Sequence, residues 1–518
     1  MIQILDCTLR DGGYINDWRF GRSVIRGTLQ RLEEAHIDII ECGFLTGMVH
    51  DDACSLFHSP EAIEPLLPAG ERRAMYVAMI AMGEKELHPS ALPVCSGKGI
   101  TGIRLTFHQS EIDQAIAWAR LIQEKGYLVF MQPVGTVLYT DLQLLQLVER
   151  MNELSPYAFY IVDTLGSMYR SDVAYRFYLI DENLSEEIHI GFHAHNNLQL
   201  AFANAQALGQ IQTRRTLILD SSVYGMGRGA GNLPTELITQ YINKTAGARY
   251  DVTRVMDIYD EYIAPIRHAM SWGYSMPYHI AASHICHPNY ATYLLGKRTL
   301  TMKDIERIIL SIPAESKITY DPQLIRQLYH QFQSRHIDDA PSVATLSAAI
   351  AGRSLLLLAP GPSLQRCEEH IQNYIQREKP YVISVNCMPP QFHTDACFVS
   401  NHKRLDMIGR ELARHPEIQA LITSNIPRVE APPACWYVDY DRYTNADPLV
   451  SDNAGLMLLS LLRACGAKAA CLAGFDGFAG SAQQDLHARF RRQLELLALS
   501  LTFLTPSPYA PENGGCHV

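Results

Sequence analysis

The chain has 518 residues, a formal net charge of -10 at pH 7 and 47% hydrophobic residues. This length exceeds what one hydrophobic core usually supports, so two or three domains are expected. The net acidity and the lack of a long Lys/Arg block argue against nucleic acid or an anionic membrane as the main partner, which favours a small-molecule substrate.

The twelve cysteines are scattered along the sequence without a Cys-x-x-Cys pair. This predicts reduced thiols rather than a disulfide framework or a zinc finger. The sequence has no run of eighteen apolar residues, and Asp6, Arg10 and Asp11 lie where a signal peptide would have its apolar core. A cytoplasmic location is therefore expected.

Short apolar runs recur roughly every 30 residues in the first half of the chain, with amphipathic helical stretches between them. They are IQILDCTL, IDIIECGF, AMYVAMI, GIRLTF, YLVFMQPV, AFYIVDT, IHIGFHAH and LILDSSV. Eight β/α units over residues 1–250 predict an α/β fold, a TIM (β/α)8 barrel, because strands that are apolar on both faces suit a parallel sheet covered by helices. An open doubly wound sheet is the alternative.

The pattern changes after the eighth run. Residues 251–345 predict helices with no clear strand between them, which indicates a helical communication-like region. A second α/β pattern begins with SLLLLAPGPSL, and its strand-like runs predict a Rossmann-like domain over residues 353–518.

Polar side chains are concentrated where the apolar runs end, and in a TIM barrel that end is the functional face. Arg10 and Asp11 follow the first run, and His108 follows the fourth. The residues on this face that are expected to contact substrate are Glu41, Gln132 and Asp163.

The segment HAHNN, residues 193–197, gives the strongest indication of chemistry. Residues i and i+2 of a strand point to the same side, so His193 and His195 can present two imidazoles to one ion, and Asp11 can add a carboxylate. Such a set leaves coordination positions open for water or substrate. The position at a strand end favours a metal site over two ordinary surface or core histidines.

A Gly-rich stretch, GMGRGAGN, follows the eighth run. It is either a plain flexible loop or a contact for an anionic substrate group, because loops after the seventh and eighth barrel strands commonly bind such groups. Asn232 at its end could reach the metal through its side-chain carbonyl oxygen.

Four separated motifs, in order, carry a resemblance to a known superfamily: DCTLRDG, VDTLG, HAHNNLQLAFANA and DSSVYGMGRGAGNLPTE. Residues 1–250 resemble the DRE-TIM metallolyases, which include 4-hydroxy-2-oxovalerate aldolase, hydroxymethylglutaryl-CoA lyase and isopropylmalate synthase. The resemblance implies Mn2+ or Mg2+ held by Asp11, His193 and His195, with Asn232 as a candidate fourth ligand. It also implies a carbon-carbon lyase that works through a metal-stabilised, pyruvate-type enolate.

Within this resemblance Arg10 is the cation that stabilises the enolate. The loop GMGRGAGN and the stretch WGYSMPYHIAASHICHPNYATYL are most similar to the hydroxyoxovalerate aldolases, in which a tyrosine of the helical region reaches the active site. Tyr274, Tyr278 and Tyr290 are the candidates here, and an ordinary core aromatic is the alternative for each.

One position departs from that branch. Its aldolases have a proton-transferring histidine three residues after the metal-binding aspartate, where this chain has Tyr14. The acid/base is therefore either Tyr14 or His108, unless both only bind substrate. The eight runs contain no lysine, which favours the metal-enolate route over a Schiff-base aldolase.

The second α/β pattern has a strand-to-helix turn, APGPS, that could hold a phosphate. The later stretch NAGLMLLSLLRACGAKAACLAGFDGF resembles the Rossmann-like domains of 6-hydroxymethylpterin pyrophosphokinase-like proteins, which implies a nucleotide or nucleotide-sugar ligand. The candidate contacts are Gly361, Ser363, Asn386 and Asp476, although Asp476 could instead cap the next segment.

The sequence thus favours a metal-dependent aldolase or lyase acting on a 2-oxo acid and an aldehyde, in sugar or polysaccharide biosynthesis. A Claisen-type acyl-CoA transferase, as in isopropylmalate synthase, is the alternative, and an inactive scaffold is disfavoured by the converging ionisable groups. We expect a homo-oligomer. A dehydrogenase partner, which the hydroxyoxovalerate aldolases have, is doubtful because the second domain indicates a different pathway.

Overall fold

The computed structural model describes residues 1–48, 51–83, 87–428, 435–478 and 483–510. The chain divides into two compact units. The barrel unit consists of Met1–Tyr293 and Ile309–Asp321, and the second unit consists of Leu294–Ile308 and the chain from Pro322 onward. The three domain ranges expected from the sequence stay a prediction.

A closed parallel barrel forms the core of the barrel unit. Among the described residues, its strands are β1 Ile2–Asp6, β2 Ile39–Leu45, β3 Leu56–Phe57, β4 Met75–Ala81, β5 Gly102–Phe107, β6 Leu128–Pro133, β7 Ala158–Asp163, β8 His189–Ala194 and β9 Leu217–Ser221. They lie in the order β1-β9-β8-β7-β6-β5-β4-β2-β3. The barrel closes because β1 pairs with both β9, through Leu5 and Asp220, and β2, through Leu5 and Ile39. The predicted TIM barrel is confirmed, with the short strand β3 as an addition.

Helices cover the outside of this barrel. They are α3 Arg22–Glu34, α4 Ile112–Glu124, α5 Asp141–Leu154, α6 Arg170–Asp181, α7 Ala201–Gly209 and α8 Thr235–Ala246. Two one-turn helices, α1 Thr8–Asp11 and α2 Gly13–Asn16, lie instead at the mouth of the barrel, directly after β1. The connections on either side of β4 contain short 3-10 turns, Pro60–Ala62, Glu64–Leu66 and Pro89–Ala91. Proline at the start of each turn is compatible with a short turn and cannot continue a helix from the preceding residues.

The chain after the barrel is helical, as predicted. Its elements are α9 Val252–Ile258, a π-turn at Tyr259–Ile263, α10 Ala264–Ala269, α11 Met276–Ser283, α12 Pro288–Lys297, α13 Met302–Leu310, α14 Pro322–Gln333 and α15 Ala340–Ile350. Within the described part of the chain, no helix is long and apolar enough to cross a membrane.

The second unit contains another parallel sheet. Its described strands are β10 Leu355–Leu358, β11 Tyr381–Val385, β12 Ala396–Val399, β13 Gln419–Thr423, β14 Cys435–Val438, β15 Ala469–Ala473 and β16 Ser500–Phe503, in the order β14-β13-β12-β11-β10-β15-β16. The helices around it are α16 Ser363–Arg366, α17 Glu368–Glu378, α18 His402–Arg414, α19 Tyr440–Tyr443, α20 Ala454–Ala464 and α21 Gln483–Leu496. The α/β fold of this domain is confirmed. The sequence did not indicate β16, whose residues are partly exposed and not uniformly apolar.

The strand order of this sheet reverses at β10, which lies between β11 and β15. Ligands of open α/β sheets bind in the crevice at such a switch point, outside the carboxyl ends of the strands. The loops after β10 and β15, which carry most of the predicted contacts of this domain, meet there.

The interior of the barrel is apolar in one layer and charged in the next. Leu5, Val77, Phe130, Tyr160 and Ile218 are buried members of the apolar layer. A group of charged residues is buried beside this layer: Arg104, Glu41 and Asp220 are each at most 1% exposed. Buried charges are stable only when they are paired. These three residues pair with one another, and they also contact residues of the candidate site described below.

Candidate metal centre

The segment after β1 carries Arg10 and Asp11 to the mouth of the barrel. Helix α1 begins directly after the strand, and the Thr8 backbone N–H donates to Asp6 Oδ1 at 2.9 Å. The indole Nε1–H of Trp18 donates to the Arg10 carbonyl oxygen at 2.8 Å. A Cβ at Gly13 would lie 2.1 Å from the Trp18 ring, so glycine is required for this close packing. The Arg-Asp-Gly-Gly turn is thus fixed against the aromatic residues that follow it.

Three candidate ligands meet above the barrel. One ligand atom from each of Asp11, His193 and His195 lies within 4.8 Å of the others, and all three residues are buried. His193 Nε2 lies 4.0 Å from Asp11 Oδ2, and the two imidazole rings are perpendicular with centroids 5.2 Å apart. The structure therefore brings together the three residues that the sequence predicted as metal ligands.

The electrostatics of the cluster suit a cation. Burial lowers the pKa of His195 to about 3, although the Asp11 charge opposes this shift. Burial raises the pKa of Asp11, but the charges of Arg10 and the two histidines outweigh it, and the net pKa lies well below its ordinary value. A neutral imidazole and an ionised carboxylate are the forms that bind metal.

Asn232, the candidate fourth ligand, lies beside the cluster. An antiparallel bridge joins it to His195, and its side-chain Nδ2–H donates to Asp11 Oδ2. Its Oδ1 is buried and has no hydrogen-bond partner in the described part of the chain. An unpaired buried acceptor is unfavourable, and a divalent cation beside Asp11 would satisfy it after rotation of the amide. The residues present therefore fit a divalent metal.

A buried network holds the ligands from below. His193 Nδ1 lies 2.9 Å from Asp220 Oδ2, and Asp220 also accepts from the Arg104 guanidinium. Arg104 donates to Glu41 Oε2 at 2.7 Å, and the same oxygen accepts from Arg10 Nε at 2.9 Å. One chain of hydrogen bonds thus links the imidazole of a candidate ligand to the Arg10 guanidinium, and such outer partners fix the orientation of metal ligands.

Glu41, Gln132 and Asp163 were predicted to contact substrate, and of these three the structure places only Gln132 on the cavity. Gln132 lines the cavity, with its amide oxygen accepting from Arg104 Nε at 2.6 Å. Glu41 is buried between the two arginines. Neither Glu41 nor Asp163 is among the described residues that line the cavity.

Asp163 forms hydrogen bonds with the backbone of the loop that follows β7. Its carboxylate accepts the backbone N–H of Ser167 at 2.9 Å and of Met168 at 3.1 Å, and its carbonyl oxygen accepts the His195 N–H at 3.3 Å. Burial raises the pKa of Asp163 to about 7, against these hydrogen bonds. This geometry indicates a residue that positions the His195 segment.

The cavity above the cluster has a volume of about 340 Å³. Tyr14 lines it, with its ring edge-on to Trp18 at 4.8 Å and to Phe44 at 6.4 Å. His108 lines it too, from the start of the turn after β5, where its backbone N–H donates to Glu111 Oε2 at 2.7 Å. Both predicted acid/base candidates therefore face the same space as the cluster.

The three tyrosines predicted from the helical region are not among the described residues that line this cavity. Tyr274 is 55% exposed, and the Tyr278 hydroxyl pairs with Thr292 Oγ1 at 3.2 Å. Tyr290 is fully buried, and its hydroxyl donates to backbone carbonyls of the segment 316–319. Tyr320 lines the cavity instead.

His287 is a further cavity residue, which the sequence did not indicate. It lines the cavity, is 8% exposed and lies stacked on Tyr320, with ring centroids 5.9 Å apart. Its Nδ1 accepts the Asn289 backbone N–H at 3.2 Å, which leaves Nε2 as the protonated nitrogen. Burial lowers its pKa well below the usual range, as do the charges of Arg228 and the neighbouring histidines. It lies inside the predicted helical stretch, but no local pattern distinguishes it from the other histidines there.

In the second unit, three of the four predicted contacts, Gly361, Asn386 and Asp476, line a cavity of about 780 Å³. Ser363 is buried and is not among the described residues that line it. Asp476 accepts from the Ser363 backbone N–H at 2.7 Å and from its hydroxyl. It therefore already occupies the start of α16, where the sequence predicted a phosphate. A Cβ at Gly361 would lie 2.3 Å from the Gly474 carbonyl oxygen, so this glycine permits the two loops to approach.

Comparisons with known proteins indicate the family to which the barrel belongs. The family model described as HMGL-like matches residues 101–261. The chain is 29% identical over 322 residues to a 4-hydroxy-2-oxovalerate aldolase of Thermomicrobium roseum, covering 57% of this chain and 86% of that protein. It is 31% identical over 276 residues to one of Geobacillus genomosp. 3, covering 51% and 77%.

A crystal structure of the N-terminal domain of a proposed aldolase from Bacteroides vulgatus gives a TM-score of 0.50 at 23% identity, covering 59% of this chain and 99% of that one. This likeness supports the fold alone.

The barrel, its strand-end cluster and these relatives define a metal-dependent carbon-carbon lyase. More particularly, the chain belongs to the DRE-TIM metallolyase superfamily, in the family that contains the 4-hydroxy-2-oxovalerate aldolases.

Proposed function

We propose that the barrel unit joins or separates a 2-oxo acid of the pyruvate type and an aldehyde. The observation that supports this most is the convergence of Asp11, His193 and His195 beside Arg10 at the mouth of the barrel. Mn2+ or Mg2+ is the proposed ion, because the donor set of carboxylate, amide oxygen and imidazole suits a hard or borderline divalent cation.

A divalent ion bound there would polarise the 2-oxo and carboxylate oxygens of the substrate. Arg10 supplies the fixed positive charge next to it. Its Nη1 donates to Asp11 Oδ1 at 2.5 Å and its Nε to Glu41 at 2.9 Å, which holds the guanidinium in one orientation. Its Nη2 is buried without a hydrogen-bond partner among the described residues. This N–H is available to the oxygen on which negative charge develops as the enolate forms.

Proton transfer needs a group in the same cavity. Tyr14 and His108 stay the candidates from the sequence, and His287 is a third. Phe44, Met79 and Ala81 line the cavity beside Tyr14, and Trp18 packs with them, so this side of the cavity is apolar.

The ligand assignment is tested with the purified protein loaded with Mn2+. We expect His193→Ala to lose the ion, as measured by elemental analysis after gel filtration. His189→Ala is the matched control, because His189 begins the same strand and lies outside the cluster. Full metal occupancy in His193→Ala would refute the assignment.

The reaction class is tested by deuterium exchange. In D2O without any CoA ester, the Mn2+-loaded protein should exchange the methyl protons of pyruvate, followed by NMR. Exchange supports an aldolase-type enolate. If neither pyruvate nor other 2-oxo acids exchange, and condensation requires an acyl-CoA, the Claisen-type alternative holds instead.

We propose, separately, that the second unit binds a nucleotide or nucleotide-sugar in the cavity at the switch point of its sheet. Asn386, Asn401 and Arg404 line this cavity at the ends of β11 and β12, so they offer amide groups and one guanidinium. Calorimetry with ATP and UDP-glucose tests this. We expect binding that Arg404→Ala weakens, and heat from neither ligand would contradict the proposal.

Four expectations from the sequence stay predictions: a cytoplasmic location, a homo-oligomer, a role in sugar or polysaccharide biosynthesis, and the absence of a dehydrogenase partner. Gel filtration of the protein, alone and with a candidate dehydrogenase, tests the assembly state and the partner together.

A further inference from the structure

The two arginines that line the cavity differ in how they are neutralised. Arg10 forms ion pairs with Asp11 and Glu41. Arg228 has no carboxylate within ion-pair distance among the described residues, and its Nε is buried without a hydrogen-bond partner. A partly buried guanidinium with unused donors is unfavourable unless a ligand pairs with it.

The backbone around Arg228 is held in place. A Cβ at Gly227 would lie 2.6 Å from the Asn232 amide nitrogen, and one at Gly229 would lie 2.7 Å from Asn197 Oδ1. Asn197 Oδ1 also accepts the Ala230 backbone N–H at 2.9 Å. The loop after β9 is therefore packed tightly against the metal-ligand segment and presents Arg228 from a fixed position.

The side chain of Arg228 has a defined place too. Its guanidinium carbon lies 5.0 Å from the centroid of the Tyr14 ring, which itself packs on Trp18 and Phe44. A guanidinium over an aromatic face keeps its N–H groups directed outward along the edges of its plane, available to an anion.

This position is separate from that of Arg10. The Arg10 guanidinium carbon lies 6.0 Å from the centroid of the Phe44 ring, whereas that of Arg228 lies over the Tyr14 ring. Arg10 is also hydrogen-bonded to Asp11, so it lies next to the site proposed for the 2-oxo acid end of the substrate. Arg228, which is paired with no carboxylate among the described residues, is left for a second anionic group.

We propose that Arg228 is the centre of a second anion subsite, which binds a carboxylate or phosphate carried by the aldehyde half of the substrate. This inference rests on the proposed function, and it means that the aldol is a dianion. Asn289 lines the same cavity and can add a hydrogen bond to the second anionic group. Arginine suits this role because its fork matches either anion with two parallel N–H donors.

Binding tests the subsite without any turnover. We would titrate the Mn2+-loaded protein by calorimetry with 2-oxoadipate and with 2-oxohexanoate, which have the same chain length but differ in the terminal carboxylate. We expect the dianion to bind about 10- to 100-fold more tightly, which is the usual effect of a charged hydrogen bond. In Arg228→Met this ratio should fall to about one.

Arg267→Met is the matched control, because Arg267 also lies over an aromatic ring, that of Trp272 at 5.4 Å, and is not among the described residues of the cavity. It should keep the wild-type ratio. Equal affinity of the wild-type protein for the two acids, or an unchanged ratio in Arg228→Met, would overturn the subsite.

Turnover then identifies the anion and separates this inference from the proposed function. Pyruvate would be combined with acetaldehyde, succinic semialdehyde or glyceraldehyde 3-phosphate, and kcat/KM compared. Preference for one of the anionic aldehydes supports the subsite and names its anion, whereas preference for acetaldehyde overturns it. Failure of pyruvate to exchange its methyl protons contradicts the proposed function, and the calorimetric ratio still decides on Arg228.

Discussion

Asp220 connects the buried charges of the barrel interior to the candidate metal centre. Its Oδ2 accepts from the Arg104 guanidinium and lies 2.9 Å from His193 Nδ1. Burial raises the pKa of Asp220, but the charges of Arg104 and His193 outweigh it and leave the pKa below its ordinary value. The substitution Asp220→Asn keeps the size of the side chain and removes its charge.

Two effects should follow from this substitution. Arg104 loses one of its two carboxylate partners in a fully buried site, and removing one partner of a buried ion pair costs about 3–5 kcal/mol of stability. Glu41 still pairs with Arg104, so we expect the lower end of that range. His193 loses the charged acceptor that fixes its ring, and loss of such a carboxylate partner lowers metal affinity roughly 10- to 100-fold.

The assay combines urea unfolding with a calorimetric titration of Mn2+ into metal-free protein. Asp181→Asn is the matched control, because Asp181 pairs with Arg215 Nε at 2.6 Å at the end of α6, away from the cavity. The control should lose stability and keep its affinity for Mn2+.

If the Asp220→Asn protein binds Mn2+ as tightly as the wild type, His193 is oriented without the Asp220 carboxylate and the predicted role of Asp220 is wrong. Equal losses of affinity in both variants would also refute it, since they would show a general effect of destabilisation.

Three further predictions concern neighbouring residues. Burial raises the pKa of Asp163 from its ordinary 3.8 to about 7, so the stability that this group contributes is present at low pH and is lost as the pH rises from 4 to 7, on the order of 4 kcal/mol. Asp163→Asn should therefore lose less stability than the wild type between pH 5 and pH 8 in urea titrations, and parallel curves would contradict this. Gly166 has a φ of 59°, and a Cβ there would lie 2.8 Å from the His195 carbonyl oxygen, so Gly166→Ala should lower the free energy of unfolding by about 1–3 kcal/mol and weaken Mn2+ binding. A fully stable Gly166→Ala protein would show that the loop relaxes freely. His287→Phe keeps a ring against Tyr320 and removes the nitrogen atoms, so kcat for the aldol reaction should fall about 100-fold with metal content unchanged, if the imidazole carries the proton. An unchanged kcat would leave Tyr14 and His108 as the candidates.

The metal cluster could be predicted from the sequence because its geometry is mostly local. Residues two apart on a strand share a face, which places His193 and His195 together, and the carboxyl ends of parallel barrel strands meet at one rim, which adds Asp11. The structure brings these three residues within ligand distance of one another.

The positions of Glu41 and Asp163 could not be predicted in this way. Asp163 ends β7, as a residue that contacts substrate would, yet its carboxylate binds the backbone of the loop that follows. Glu41 lies inside β2, which continues to Leu45, and is buried between two arginines. The charged residue in the run GIRLTF was a visible signal for a buried ion pair. Its partner could not be found from the sequence, because Arg104 and Asp220 are 116 positions apart.

The class of this protein could be predicted from the sequence: the repeating apolar runs favour a parallel barrel over an open sheet, His193 and His195 at a strand end favour a metal site, and the four motifs carry the resemblance that implies a cation, Arg10, beside it. Tertiary structure alone decided what else lines the cavity. Its rim contains His287, Tyr320 and Arg228, whereas the tyrosines expected from the helical region lie elsewhere. The physical reason is that strand periodicity fixes the direction of a side chain, but the position of a helix or loop over the barrel depends on packing between residues far apart in the sequence.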